Sequence, residues 1–183
     1  MIKMEATIDD RVVVAKFNRM QGKAVNLRPP LKLSTIYMYR SINKNFQAQG
    51  RPKKWAPLKR STIENRRRGK GSGSPQILQD TGILRMSVTS PNAKGAIYRL
   101  SNARVEMGTK LIYASVHQKG KTIRAHTIVP KKKNALHFFI GGKEVFCKRA
   151  NIPPIKMPKR EFLLFQTKDR KEIGNIFGKY MVN

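Results

Sequence analysis

The chain has 183 residues, with 39 lysines and arginines against 10 acidic residues and a net charge of +29. The length is that of one domain, and the charge predicts a negatively charged partner such as nucleic acid or an acidic protein surface. A single cysteine, Cys147, excludes an intramolecular disulfide framework, and no apolar run approaches the roughly 20 residues of a membrane span.

The N-terminal third predicts a strand and two helices. Residues 1–8 alternate apolar and polar side chains, which is the period of a half-buried strand. Asp9 or Asp10 then caps a first helix, and Pro29-Pro30 opens a second one. The apolar stripe of the first helix comprises Val13, Phe17 and Met20, and that of the second comprises Leu31, Thr35, Met38, Ile42 and Phe46.

The middle of the chain predicts short elements joined by a flexible loop. Ser61 and Glu64 have the spacing of a capping box, which predicts a short helix beginning there. Residues 69–74 read GKGSGS, a flexible loop by composition. Asp80, Thr81 and Gly82 then turn the chain into the apolar run that starts at Ile83.

From residue 96 onward the pattern is mainly that of β-strands. One hairpin is predicted around residues 96–108, and a second one surrounds Gly141-Gly142. Residues 113–118 predict one or two helical turns ended by Gly120, and residues 121–158 predict a basic hairpin arm projecting from the body. Asp169 is predicted to cap a final helix. The fold class is therefore α+β: an antiparallel sheet packed with N-terminal and C-terminal helices, in a single domain over 1–183 with an extended basic β-hairpin arm.

The sequence gives little support to three catalytic or metal-binding alternatives. His117, His126, His137 and Cys147 are 9 to 11 residues apart, whereas structural zinc sites pair ligands two to five residues apart. Cys147 lies within an alternating strand, where a lone cysteine is usually a small buried hydrophobe rather than a nucleophile. A metal-dependent nuclease needs clustered carboxylates, and the ten acids show no such cluster. The sequence thus indicates no enzyme, metal or cofactor.

Nucleic-acid binding has a firmer basis in the charge. Phe138, Phe139 and Phe146 lie near a lysine run and would either stack on bases or make cross-strand pairs within the hairpin. The candidate contacts to DNA or to an acidic partner are Arg66, Arg67, Arg68, Lys131, Lys132, Lys133, Lys148 and Arg149. A basic RNA- or DNA-binding protein is therefore the alternative function.

An ordered series of motifs from residue 55 onward resembles the phage virion morphogenesis family, the Mu-like tail-completion proteins. The motifs are WAPL, ILQDTGILRMS, VEMGTKLIYASVHQKG and MPKREFL, followed by a closing helix. Lys159 and Leu164 depart from the pattern, where the family often has a small residue and a glycine. The residues that carry the family signature are Trp55, Pro57, Leu58, Thr62, Thr81, Gly82, Leu84, Tyr113, His117, Gln118, Gly120, Pro158, Arg160 and Phe162.

The resemblance implies a structural phage protein of the neck. Such proteins are similar to head–tail joining and tail-terminator components, which form rings between the DNA-filled head and the tail and have no known cofactor. The implied partners are copies of the chain itself, by analogy six, together with connector and tail proteins and genomic DNA in the lumen. The implied location is the virion, after assembly in the bacterial cytoplasm.

The segment YASVHQKG, residues 113–120, is interpreted as a hinge between body and arm. Tyr113 and His117 share a face of a helical turn, and the His117 ring is expected to tie this turn to nearby backbone through its two nitrogens. Gln118 is expected to do the same, and Gly120 frees the chain to leave for the arm.

Overall fold

The structure is a computed structural model that describes residues 10–64, 76–131, 134–140 and 143–182. The predicted strand at residues 1–8, the GKGSGS loop and the Gly141-Gly142 turn lie outside the described residues. The helices are α1 (Arg11–Val25), α2 (Arg28–Gln47), α3 (Arg60–Glu64), α4 (Ile83–Thr89), α5 (Ile112–Lys119) and α6 (Thr167–Val182). The strands are β1 (Ala96–Leu100), β2 (Val105–Thr109), β3 (Lys121–Ile123), β4 (His126–Ile128), β5 (Leu136–Ile140), β6 (Lys143–Cys147), β7 (Ala150–Ile152) and β8 (Ile155–Met157).

This combination of helices and small antiparallel sheets confirms the predicted α+β class. Within the described ranges the strands pair two by two, β1 with β2, β3 with β8, β4 with β7 and β5 with β6, instead of joining one larger sheet. The chain divides into two compact units. The first lies within Met1–Met38, Tyr98–Met107 and Phe165–Asn183. The second lies within Tyr39–Ile97 and Gly108–Leu164. The single domain over 1–183 stays a prediction.

In the first unit, α1 contacts α6. The Tyr180 hydroxyl donates a hydrogen bond to the Asn26 carbonyl oxygen at 2.7 Å, and the Lys23 ammonium lies 5.7 Å from the centre of the Tyr180 ring. On α6, Ile173, Ile176, Phe177 and Tyr180 share a face and are half-buried. The predicted stripe of α1 is wrong at its start, because Val13 and Phe17 are exposed and no residue of α1 is fully buried.

The predicted caps need correction at three helices. Asp10 occupies the position before α1 but makes no side-chain capping bond, and the other predicted cap, Asp9, lies outside the described residues. The helix α3 begins at Arg60, one residue before Ser61, so Ser61 does not occupy a capping position. Asp169 lies in the first turn of α6, where its Oδ2 accepts a hydrogen bond from the Gln166 backbone N–H at 2.9 Å. The Asp169 side chain thus binds the residue that precedes its helix, although Asp169 itself lies within the first turn.

The core of the second unit gathers around the C-terminal half of α2. The buried apolar residues are Ile42, Phe46, Trp55, Ile77, Leu84, Val88, Ala114 and Phe162. Ile42 and Phe46 belong to the stripe predicted for α2, since side chains spaced by four residues lie on one face of a helix. The helix ends at Gln47, and the backbone then reverses through Gln49 and Gly50, both with positive φ, before the cis peptide bond at Pro52.

The segment 121–157 is a nested antiparallel ladder. The register Lys121↔Met157 continues into His126↔Ile152, so Arg124 and Ala125 lie opposite Pro154 and Pro153. Proline has no N–H to donate, and the ladder is interrupted at this point. This part of the chain therefore forms two short strands, β3 and β4, instead of one continuous strand.

Candidate functional site

Three aromatic rings form the base of the site in the second unit. The Phe46 ring meets Trp55 edge-on, with centroids 5.5 Å apart, and lies 5.9 Å from the Phe162 ring. Phe46 and Phe162 are almost fully buried. The indole N–H of Trp55 donates a hydrogen bond to the Glu161 carbonyl oxygen at 3.1 Å. This bond fixes the orientation of the buried ring.

Asn45 reinforces the same junction from α2. Its Nδ2 donates to the carbonyl oxygens of Glu161 and Phe162 at 3.0 and 3.1 Å. Asn45 was not among the residues predicted from the sequence. A polar residue beside an apolar stripe was the available signal, because a buried asparagine needs partners for its amide.

Arg160 is a buried cation that binds backbone. Its exposed fraction is 5%, and its guanidinium donates from Nε to the Ala56 carbonyl and from Nη2 to the Pro57 carbonyl, at 3.1 and 3.2 Å. Its backbone N–H donates to the His117 carbonyl at 2.7 Å. Through these bonds, Arg160 connects the segment around Pro57 with the end of α5.

Gln118 fastens α5 to the residues after Arg160. Its Oε1 accepts from the backbone N–H groups of Phe162 and Leu163 at 3.0 Å each, and its Nε2 donates to the Leu163 carbonyl at 2.7 Å. The predicted tie between Gln118 and nearby backbone is therefore present. Gly120 follows with φ of +71°, and a Cβ there would approach the Lys159 nitrogen to 3.0 Å.

His117 departs from its predicted role. Its Nδ1 is buried and has no hydrogen-bond partner among the described residues, so the expected tie through both ring nitrogens is wrong. Its carbonyl oxygen, bonded to Arg160, makes the connection instead. Burial, and secondly the positive charge of Arg160, lower the pKa of His117 from its ordinary value of 6.5, so the ring resists protonation.

A groove of about 820 Å³ opens above this framework. It brings together most of the signature residues found in the sequence. Those lining it are Pro57, Leu58, Thr62, Thr81, Gly82, Leu84, Tyr113, His117, Pro158 and Arg160. The remaining four, Trp55, Gln118, Gly120 and Phe162, make the contacts given above, beneath or beside the groove.

The described members of the basic set singled out from the sequence do not line this groove. Lys131, Lys148 and Arg149 are exposed in the ladder segment, and Lys132, Lys133 and Arg66 to Arg68 lie outside the described residues. The Phe146 ring stacks on His137 with centroids 4.6 Å apart, a cross-strand pair. Phe138 is half-buried opposite Val145, and the side chain of Phe139 lies outside the described part of the structure.

The spaced histidines and the cysteine do not converge. His137 lies opposite Phe146 and Cys147 opposite Leu136, which places His137 and Cys147 on opposite faces of the hairpin. No three His, Cys, Asp or Glu side chains within the described ranges are grouped as a metal site would require. None of the described helices is long and apolar enough to cross a membrane.

Packed aromatic rings, a backbone-bound arginine and a backbone-bound glutamine are characteristic of a structural junction. The model of the phage virion morphogenesis family matches residues 8–182, nearly the whole chain. The chain belongs to this family, and its role is that of a phage structural or morphogenesis protein. That membership implies a structural rather than a catalytic role and points to a component of the virion. No curated protein and no solved structure gives a match.

Proposed function

We propose that the chain acts at the head–tail junction of its phage, where copies of it assemble into a ring that completes the tail and joins it to the DNA-filled head. Family membership supports the virion role. The observation that carries the ring is the ladder segment 121–157, called the arm from here on. Its strands pair only with each other in the described structure.

The arm carries apolar side chains that are largely exposed in the described part of the structure. Ile140 and Phe146 are each 64% exposed, and Val129 is 56% exposed. An isolated two-stranded ribbon is marginally stable in water, so an arm of this kind needs a surface to pack on. A neighbouring copy provides one, and head-to-tail contacts that close by rotation generate a ring.

The charge of the arm fits the junction. Lys131, Lys143, Lys148 and Arg149 are exposed, against one acid on the described strands, Glu144. DNA in the lumen and acidic faces of the adjoining connector and tail proteins are the partners that such a surface would meet.

The ring is tested by native mass measurement of the purified chain. We expect a closed oligomer for the natural chain and loss of it for the double variant Ile140→Asp, Phe146→Asp, because charged groups at these positions oppose burial against a neighbour. Lys143→Ala, on the same hairpin, is the matched control and should leave the oligomer intact. A monomer at all concentrations of the natural chain would disprove the ring.

The position in the virion is tested by deleting the gene. We expect filled heads and tails that fail to join, and electron microscopy distinguishes this from other defects. Normal virions from the deletion would contradict the proposal.

A further inference from the structure

The groove in the second unit has the chemistry of a binding site for an extended, acidic and apolar peptide. Its walls include the apolar side chains of Leu58, Leu84 and Met157. Two exposed lysines, Lys59 and Lys156, also line it, against one exposed acid, Asp80.

Strand β8 supplies an edge along which such a peptide can pair. Ile155, Lys156 and Met157 all line the groove, and β8 pairs with β3 alone among the described strands. The other edge of β8 therefore offers backbone donors and acceptors. An added strand would place alternate side chains towards the groove and away from it, which is how strand addition combines affinity with selectivity.

The acids of the chain show which of its segments suits this groove. Several acids elsewhere in the described structure already have partners in their own chain. Glu106 pairs with Arg99 and Arg104, and Glu161 pairs with Lys159.

The first ten residues, MIKMEATIDD, hold three acids against a single lysine. Asp10, the described member of these three, does not cap the helix that follows it. In a chain with a net charge of +29, this segment is where attraction to the basic surface of another copy can arise.

We propose that residues 1–10 of one copy bind as an added strand along β8 of the neighbouring copy. Ile2, Met4 and Ile8 share one face of the alternating pattern and enter the groove, and Glu5 on the other face meets the lysines at its rim. The proposal rests on the ring proposed above, for which it supplies one of the contacts between copies.

Disulfide trapping in the full-length chain tests the register and the donor copy together. In a Cys147→Ser background, Met4→Cys is combined with Met157→Cys, and the assembled protein is oxidised and run on a non-reducing gel. We expect a ladder of covalent multimers. The matched control pairs Met4→Cys with Arg104→Cys, an exposed residue that does not line the groove, and should give no ladder.

The other outcomes are decisive against the proposal. Loss of thiols without a change in mass means that the segment binds its own copy, and free thiols at both positions mean that it does not bind in the groove. Native mass of the unoxidised chain separates the two proposals, since a ring without the cross-link overturns only the strand addition, whereas a monomer overturns the ring itself.

Charge exchange gives an independent test. Lys156→Glu is expected to weaken assembly about two- to fivefold, the range of one exposed ion pair, and Glu5→Lys added to it should restore assembly. Lys121→Glu, an exposed lysine on β3 that does not line the groove, is the control. Equal weakening by Lys156→Glu and Lys121→Glu, without rescue by Glu5→Lys, would overturn the proposal.

Discussion

Gln118 joins α5 to the residues after Arg160 through its whole amide, because both of its polar atoms bind backbone groups. Replacing it by alanine leaves two N–H groups and one carbonyl oxygen without these partners. We expect Gln118→Ala to lower the free energy of unfolding by about 1–3 kcal/mol, measured by urea denaturation. Lys119→Ala, the exposed neighbour, should change it by less than about 0.5 kcal/mol. An equal effect of both changes would refute this role of Gln118.

His117 should make stability depend on pH. Its pKa is lowered in the folded chain by burial and by the Arg160 charge, whereas in the unfolded chain the imidazole takes up a proton near its ordinary pKa of 6.5. Below that pH the unfolded state binds more protons, so stability is complete at pH 7.5 and falls as the pH drops through 6.5 towards the lowered pKa.

The measurement is urea denaturation at pH 7.5 and at pH 5.5. We expect His117→Gln to lose less stability on acidification than the natural chain, and His126→Gln, at an exposed position, to retain the natural dependence. An unchanged loss in His117→Gln would contradict this account of the histidine.

At the scale of single residues, the motif series singled out ten of the residues that line the groove but not the bonds between them. Tyr113, His117 and Gln118 were singled out together, and the helix α5 does hold them. The bonds from Arg160 to the carbonyls of Ala56 and Pro57 span more than 100 residues. No local pattern encodes such a contact, since a backbone carbonyl acceptor is present at every residue.

The elements were predictable where a pattern was local and strong. The stripe of α2 follows from periodicity and the hairpins β1–β2 and β5–β6 follow from turn signals between apolar runs, and all are present. The break between β3 and β4 required the register, because the prolines responsible lie opposite it on the returning strand. The start of α3 was misplaced by one residue because capping boxes specify only spacing.

The exit from α5 depends on the backbone conformation of Gly120. An alanine there would have a φ of +71° and a Cβ 3.0 Å from the Lys159 nitrogen. We expect Gly120→Ala to lower the free energy of unfolding by about 1–3 kcal/mol, measured by thermal and urea denaturation.

Substitutions at two other glycines distinguish the effect of backbone strain from that of a close contact with the added Cβ. Gly82 has φ of +76° but free space around a Cβ, so Gly82→Ala should cost about 1–2 kcal/mol from strain alone. Gly174, within α6, has neither problem, and Gly174→Ala should raise stability by about 0.5–1 kcal/mol. Equal effects at Gly120 and Gly174 would show that conformation at the exit is unimportant.

At the scale of the whole molecule, the charge of +29 has opposite consequences for the two functions predicted from the sequence. Copies of the chain repel each other, and salt screens this repulsion over about 10 Å at 0.1 M. A contact with nucleic acid gains from released counterions, and its affinity falls steeply as salt is added. The salt dependence of each process therefore reports which contacts sustain it.

We expect the assembled fraction, measured by sedimentation velocity, to persist between 50 and 200 mM salt, because apolar groups such as Phe146 and Ile140 on the arm are covered on assembly and repulsion between copies is screened. Binding of a DNA duplex by the same sample should weaken by orders of magnitude over this range if several phosphates are contacted. If the oligomer instead dissociates over the same salt range in which DNA is released, nucleic acid holds the copies together, and not direct contact between them. In that case the basic nucleic-acid-binding alternative would replace the ring as the better account of the chain.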